Sequence, residues 1–279
     1  MTGLFYMQNK QLIQQNIITE QPSVVSSRDR GINYGDGFFT TAKIVDGNVE
    51  HWSLHRARLI ECASRLAFPE IEFIELEAVI NQLIATQECA VLKVLVTRGE
   101  GGRGYGLPEQ PLLNIVLSVV DFPSHYEALS SKGLSLAVSP IKLASQPLLA
   151  GLKTLNRLEQ VMIKQAMQTQ DCDDVLVLDY QNNVIETSAA NVFAVKSGRV
   201  FTPLLNECGI KGVYLQSLCA KLPIEFVNLT LEQLTQMDAV FVCNSLMGVI
   251  PIKAIDNAYF DINNSLSVLN GLIAKEFTC

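Results

Sequence analysis

Histidine and tryptophan are scarce in this chain: three of the first and one of the second among 279 residues. The histidines (His51, His55, His125) are not spaced as a ligand pair, and none of the seven cysteines forms a Cys-x-x-Cys. Zinc spacing and a paired disulfide framework are therefore both disfavoured, and no metal is expected. Basic charge is also short, with Lys+Arg 21 against Asp+Glu 28 and a formal charge of −7. A net acidic chain repels phosphates at long range, which argues against nucleic acid as a partner. A local basic pocket for a small anion is still allowed. No uninterrupted apolar run reaches the ~18 residues of a membrane helix. Met1 to Lys10 lacks the basic stretch and apolar core of a secretory signal. The plain expectation is a reduced, cytoplasmic protein with no membrane partner.

What is present is apolar bulk. Residues of the AVILMFWYC set make up 48% and charged residues 18%, which excludes intrinsic disorder. Division by about 150 residues per domain predicts one large or two ordinary domains. Phe38–Val45 is rich in Thr, Ile and Val, and Asp46-Gly47 separates it from Asn48–Trp52, a strong hairpin signal. Ser53 can cap the following helix, in which Leu54, Ala57, Leu59, Ala63 and Leu66 recur near helical spacing. A second helix fits Glu75–Thr86, and strands fit Ala90–Thr97 and Leu112–Val120. Between those strands the glycine-rich run Gly99–Gly106, with Arg103 and Tyr105, reads as a mobile loop. It opens no helix and lacks dinucleotide spacing, so a Rossmann fold is rejected. Domains are expected at 1–120 and 128–279, joined by a connector over 121–127. In the second, strands fit Leu134–Ser139, Val175–Leu178, Val184–Glu186, Asn191–Val195, Val200–Thr202 and Ala239–Cys243. Helices fit Asn156 to about Thr169 and Lys211–Leu222. The fold class is mixed, α+β or α/β, in two domains.

Chemistry concentrates at a few positions. Lys153 lies in a mostly apolar stretch at a strand-to-helix junction. Desolvation lowers an amine's pKa and leaves more of it nucleophilic, as Schiff-base formation requires. Taken alone, it reads more readily as a surface lysine. Glu186 is the only acid in Val184 to Phe193, and a buried carboxylate needs a charged partner. A protonated pyridine nitrogen would supply one, and so would a nearby Arg or Lys. Arg58 on the first helix, the turn Gly209-Ile210-Lys211-Gly212 ahead of a helix, and Asn244-Ser245 after a strand could hold a phosphate. Each is also ordinary turn or surface chemistry.

Together with Asp29-Arg30-Gly31, Gly35 to Thr41, His55 to Leu59, Gly102 to Tyr105, Leu149 to Gln160, Glu186 to Phe193 and Cys243 to Met247, these residues resemble the fold-type IV pyridoxal-phosphate enzymes. That family contains branched-chain and D-amino-acid aminotransferases and aminodeoxychorismate lyase. The resemblance implies the D-amino-acid aminotransferase-like architecture, pyridoxal 5′-phosphate as cofactor, a pocket between the domains, and a homodimer. It implies that Lys153 forms the Schiff base, that Glu186 holds the pyridine nitrogen, and that Arg58, the backbone of Ile210 and Lys211, and Ser245 bind the phosphate. Arg103 and Tyr105 would contact substrate carboxylate, with Thr40 at the substrate and Thr41 as a candidate general acid. The stretches around Lys153, Phe39-Thr40-Thr41 and Asn244-Ser245 are similar to the lyase branch. D-amino-acid aminotransferases typically carry Tyr-Glu where Phe39-Thr40 stand. The resemblance thus implies cleavage of 4-amino-4-deoxychorismate to 4-aminobenzoate and pyruvate. Transamination, or a binding protein without turnover, are the alternatives.

Overall fold

A computed structural model of the chain describes residues 3–8, 11–16 and 25–274. Part of the Met1–Lys10 stretch and Cys279 therefore lie outside the described residues. Two compact units are present: residues 1–122 with 152–156, and residues 123–151 with 157–279.

The first unit contains β1 (Gly3–Gln8), β2 (Gln11–Asn16), α1 (Arg30–Tyr34), β3 (Gly37–Val45), β4 (Asn48–Val49), α2 (Trp52–Arg65), α3 (Phe73–Ile84), β5 (Cys89–Thr97) and β6 (Asn114–Asp121). Its strands form one sheet in the order β2-β1-β6-β5-β3-β4, antiparallel throughout. The Asp46-Gly47 hairpin stands as expected. Both residues have positive φ, 47° and 71°, the geometry whose twist matches the flanking strands. Alternation along β3 buries Phe38, Thr40, Ala42 and Ile44. Phe39 and Thr41 share the opposite, half-buried face. Helix α2 buries His55, Arg58, Leu59, Cys62 and Ala63. Ala57 is exposed and Ser53 lies inside the helix, whose N-cap is His51 with no side-chain cap bond. Two ionisable residues thus occupy inward positions where an apolar reading places only hydrophobes.

The segment 152–156 departs from the expected domain partition. It runs beside β3: the Phe39 N–H donates to the Lys153 carbonyl at 2.9 Å, and the Leu155 N–H to that of Gly37 at 2.9 Å. Phe38 and Thr154 form an antiparallel bridge, and Leu152 joins the core of this unit. Gly37 permits this approach, since a Cβ there would overlap the Val96 carbonyl and the Leu155 side chain.

The second unit contains α4 (His125–Lys132), β7 (Leu134–Val138), α5 (Leu158–Met167), β8 (Asp174–Leu178), β9 (Val184–Thr187), β10 (Asn191–Lys196), β11 (Arg199–Pro203), α6 (Val213–Cys219), β12 (Ile224–Val227), α7 (Leu231–Thr235), β13 (Ala239–Asn244), β14 (Gly248–Ile255), β15 (Ala258–Tyr259) and α8 (Ile262–Ala274). The sheet order is β12-β11-β10-β13-β14-β7-β8-β9, with β15 beside β14. Strand β9 also returns to β10 through the pair Glu186 and Asn191, so six strands close into a ring. The expected connector is not a loop throughout: Asp121 ends β6 and His125 opens α4.

Candidate active site

In the first unit, Lys153 backs onto one stripe of α2. His55, Arg58 and Cys62 lie three and four residues apart, which places them on one helical face. All three are buried. The Cys62 thiol meets the backbone N–H of Lys153, and the charge of Lys153 reaches His55. Arg58 lies one turn from each of these residues. The Lys153 ammonium sits 4.8 Å from the centroid of the Phe39 ring, a cation–π separation, so Lys153 is half-buried against an aromatic face. Thr41 lies on the same strand face as Phe39.

Thr40 faces the other way. It is fully buried, and its hydroxyl lies 2.6 Å from His55 Nδ1. That contact corrects its expected place at the substrate: Thr40 is turned onto helix α2 and engaged there. Burial, with Arg58, His51 and Lys153 adding positive charge, pushes the His55 pKa down from 6.5 to about 3, so its imidazole is neutral. Burial likewise lowers Arg58 to about 10, and the guanidinium keeps its charge at neutral pH. The Cys62 thiol is pushed up by burial and stays protonated.

Glu186 belongs to the closure of the second sheet. It is 5% exposed, pairs with Val177 on one side and Asn191 on the other, and its Oε2 accepts from the Ile210 N–H at 2.9 Å. Gly209, at φ 82°, lets that turn approach, since a Cβ would press on Ile185 at 2.6 Å. The charge of Glu186 also reaches Arg157, whose pKa is lowered by burial and partly restored by Glu186 and Glu159. Asn191 fastens the same turn, donating to the Ile210 carbonyl at 2.8 Å and accepting from the Gly212 N–H at 2.9 Å.

This geometry revises the expected phosphate donors. The Ile210 N–H is engaged by Glu186, and the Lys211 N–H donates to the Gly151 carbonyl at 3.1 Å. The Lys211 side chain is exposed. The helix starts later than the expected Lys211: Gly212 is the N-cap of α6. The amides lacking an intrahelical acceptor are therefore those of the first turn from Val213 onward. Ser245 sits half-buried in the turn after β13, where Asn244 Oδ1 accepts from the Leu246 and Met247 N–H groups at 2.9 Å each.

The glycine-rich loop is more ordered than its composition predicts. The buried Arg30 guanidinium gathers the carbonyls of Gly101, Gly104, Tyr105 and Gly106 at 2.9–3.3 Å. Its Nε meets Asp36 at 2.7 Å, and Arg98 meets the same carboxylate at 2.8 Å. Burial opposes ionisation of Asp36, but Arg98 and Arg30 outweigh it and hold its carboxyl below the usual range. Arg103 and Tyr105 remain exposed on this pinned backbone, with the Tyr105 ring edge-on to Tyr34. Arg30, Asp36 and Arg98 are charged residues next to glycines, and the first two fall in motifs of the family resemblance, but the sequence alone attaches no role to them. A cavity of about 370 Å³, lined by Asp179, Asn183, Glu207 and others, contains none of the site residues, so chemistry marks the site better than concavity does.

An amine on an aromatic face, a buried guanidinium and a buried carboxylate are what a cofactor with an aldehyde, a phosphate and a basic ring nitrogen needs. The Nε2 of His55 is buried without a hydrogen-bond partner, a further polar atom suited to such a ligand. The family model for amino-transferase class IV matches residues 37–255. The chain belongs to this family, whose cofactor is pyridoxal 5′-phosphate. Aminodeoxychorismate lyase of Vibrio harveyi is 39% identical over 239 residues, covering 81% of this chain and 86% of that protein. The crystal structure of 4-amino-4-deoxychorismate lyase from Pseudomonas aeruginosa matches with a TM-score of 0.84 at 33% identity, over 91% of this chain and 96% of that one. A D-alanine aminotransferase of Listeria monocytogenes is 24% identical, over 88% of each chain. The fold-type IV architecture expected from the motifs is the one found.

Proposed function

We propose that this class IV family member is a pyridoxal-phosphate-dependent lyase that converts 4-amino-4-deoxychorismate to 4-aminobenzoate and pyruvate, a step toward folate. Bound pyridoxal phosphate supplies the electron sink for the carbon–hydrogen bond cleavage. Lys153 Nζ is the amine that holds the cofactor's aldehyde. With substrate in place, the same amine would serve as the base for the proton on the substrate carbon bearing nitrogen. Glu186 keeps the ring nitrogen protonated, and its bond from the Ile210 N–H fixes the carboxylate for that task. Arg58 meets the phosphate, with Ser245 and the first turn of α6 as further donors. Thr41, on the Phe39 face, or Lys153 itself protonates the departing enolpyruvyl group. Arg103, presented by the Arg30 clamp, holds substrate carboxylate with its planar fork, beside Tyr105. Two copies form a homodimer, two-fold symmetry being the common closed arrangement, and the enzyme works in the cytoplasm.

One observation carries the lyase reading over transamination. At Phe39-Thr40 there is neither phenol nor carboxylate: a plain ring lies against Lys153, and a hydroxyl is tied to His55. The deciding test supplies aminodeoxychorismate to the holoenzyme and, separately, 2-oxoglutarate with an amino donor. The expected product is 4-aminobenzoate from the first. Glutamate from the second, without 4-aminobenzoate, would replace this reading with transamination.

A further inference from the structure

Arg58 and Lys153 explain how a phosphate and an aldehyde are met, but they leave His55 unused. Its ring is fully buried on the α2 stripe, three residues before Arg58. One ring nitrogen is occupied, Nδ1 lying 2.6 Å from the Thr40 hydroxyl. The other, Nε2, is buried and has no hydrogen-bond partner. A buried polar atom left unmatched costs stability, so such atoms are rare unless a ligand completes them. The charges that reach this ring are those of Arg58, His51 and Lys153, with no carboxylate among them. Such surroundings suit an anion rather than a cation.

We infer that His55 is a ligand of the cofactor's phosphate, donating a hydrogen from Nε2 to a phosphate oxygen while the Thr40 hydroxyl donates into Nδ1 and fixes that tautomer. The inference rests on the pyridoxal-phosphate reading proposed above. Thr40 then acts through His55: its hydroxyl sets which nitrogen carries the hydrogen. The neutral ring adds a donor without adding a third buried charge beside Arg58 and Lys153. A charged imidazole there would repel both.

The test compares two amide replacements, because each keeps one half of the imidazole. In H55N the amide can still meet Thr40 but does not extend to the Nε2 position. In H55Q the amide nitrogen reaches that position. Affinity is read by spectroscopic titration of apoprotein with pyridoxal 5′-phosphate and, in parallel, with pyridoxal, which lacks the phosphate. The H55N variant is expected to bind the phosphorylated form at least about ten-fold more weakly, as for loss of a hydrogen bond to an anion. Its affinity for pyridoxal is expected to match wild type, and H55Q is expected to recover most of the loss. Equal weakening toward both ligands would mean a purely structural role and overturn the inference. No weakening toward either would overturn it too. A wild-type protein that ignores both ligands would overturn the cofactor reading itself, a distinguishable result. A second measurement needs no variant: ¹⁵N spectra of histidine-labelled protein. With cofactor bound, one neutral histidine should carry its hydrogen on Nε2. A hydrogen on Nδ1 of His55 would contradict the assignment.

Discussion

The Lys153 segment and the Glu186 strand handle one problem in opposite ways. Each places an ionisable group in an apolar interior. Glu186 is locked by backbone: two strand partners, an amide at 2.9 Å, and a turn held by Asn191. Lys153 is held along its own backbone by Phe39 and Cys62, and its ammonium rests on an aromatic face. In the function proposed above, the carboxylate has one permanent task, holding a proton in place, whereas the amine must let go of one partner and take another. A residue that only stabilises charge can be fastened at its tip, but one that moves protons and bonds cannot.

Substitutions can break this contrast at either end. The largest effect is expected for Lys153→Ala: loss of lyase turnover by about four orders of magnitude or more, with thermal unfolding nearly unchanged because the backbone bonds to Phe39 and Cys62 remain. Steady-state 4-aminobenzoate production and a melting curve check both halves. At Glu186 the choice of substitution should separate activity from stability. Glu186→Gln keeps an acceptor for Ile210 and should lose activity on the order of 10²–10³-fold while remaining stable. Glu186→Ala should in addition lose about 1–3 kcal/mol in denaturant unfolding, because the Ile210 N–H is left unmatched.

A third prediction concerns the clamp. Arg30→Ala removes a buried partner of Asp36 and the donor for four carbonyls. A loss of about 3 kcal/mol is expected, with markedly faster tryptic cleavage after Arg103. A loop cleaved at the wild-type rate would show that composition, not Arg30, sets its order. The most gradual effect is in pH. His55 titrates near 6.5 unfolded and about 3 folded. Below pH 6.5 the unfolded chain takes up a proton that the folded ring refuses. Stability therefore falls as pH drops from 6.5 toward 3, by up to about 1.4 kcal/mol per pH unit. His55→Asn should remove that component of the slope.

Local patterns made much of this legible. The Asp46-Gly47 turn, the Thr-, Ile- and Val-rich strand β3 and the short strands around Glu186 are set by neighbours in sequence, and they fold as read. Where the reading slipped, long-range contacts decide. Nothing local tells that 152–156 runs beside β3 and joins the first unit, or that the Ile210 and Lys211 amides are engaged by Glu186 and Gly151. Pro251 disguised β14, because proline removes a ladder donor and argues against a strand. The Gly99–Gly106 run read as mobile because its order comes from Arg30, about seventy residues earlier. On α2, helical periodicity was right, but its inward face carries His55 and Arg58 where a core helix would carry hydrophobes. That local rule is broken where the chemistry is.

Chemical trapping decides whether Lys153 Nζ holds the cofactor covalently. Holoenzyme is treated with borohydride, digested, and its peptides are mapped by mass spectrometry. One phosphopyridoxyl group per chain is expected, on Lys153. Modification confined to other lysines, or no modification of a protein saturated with cofactor, would contradict it.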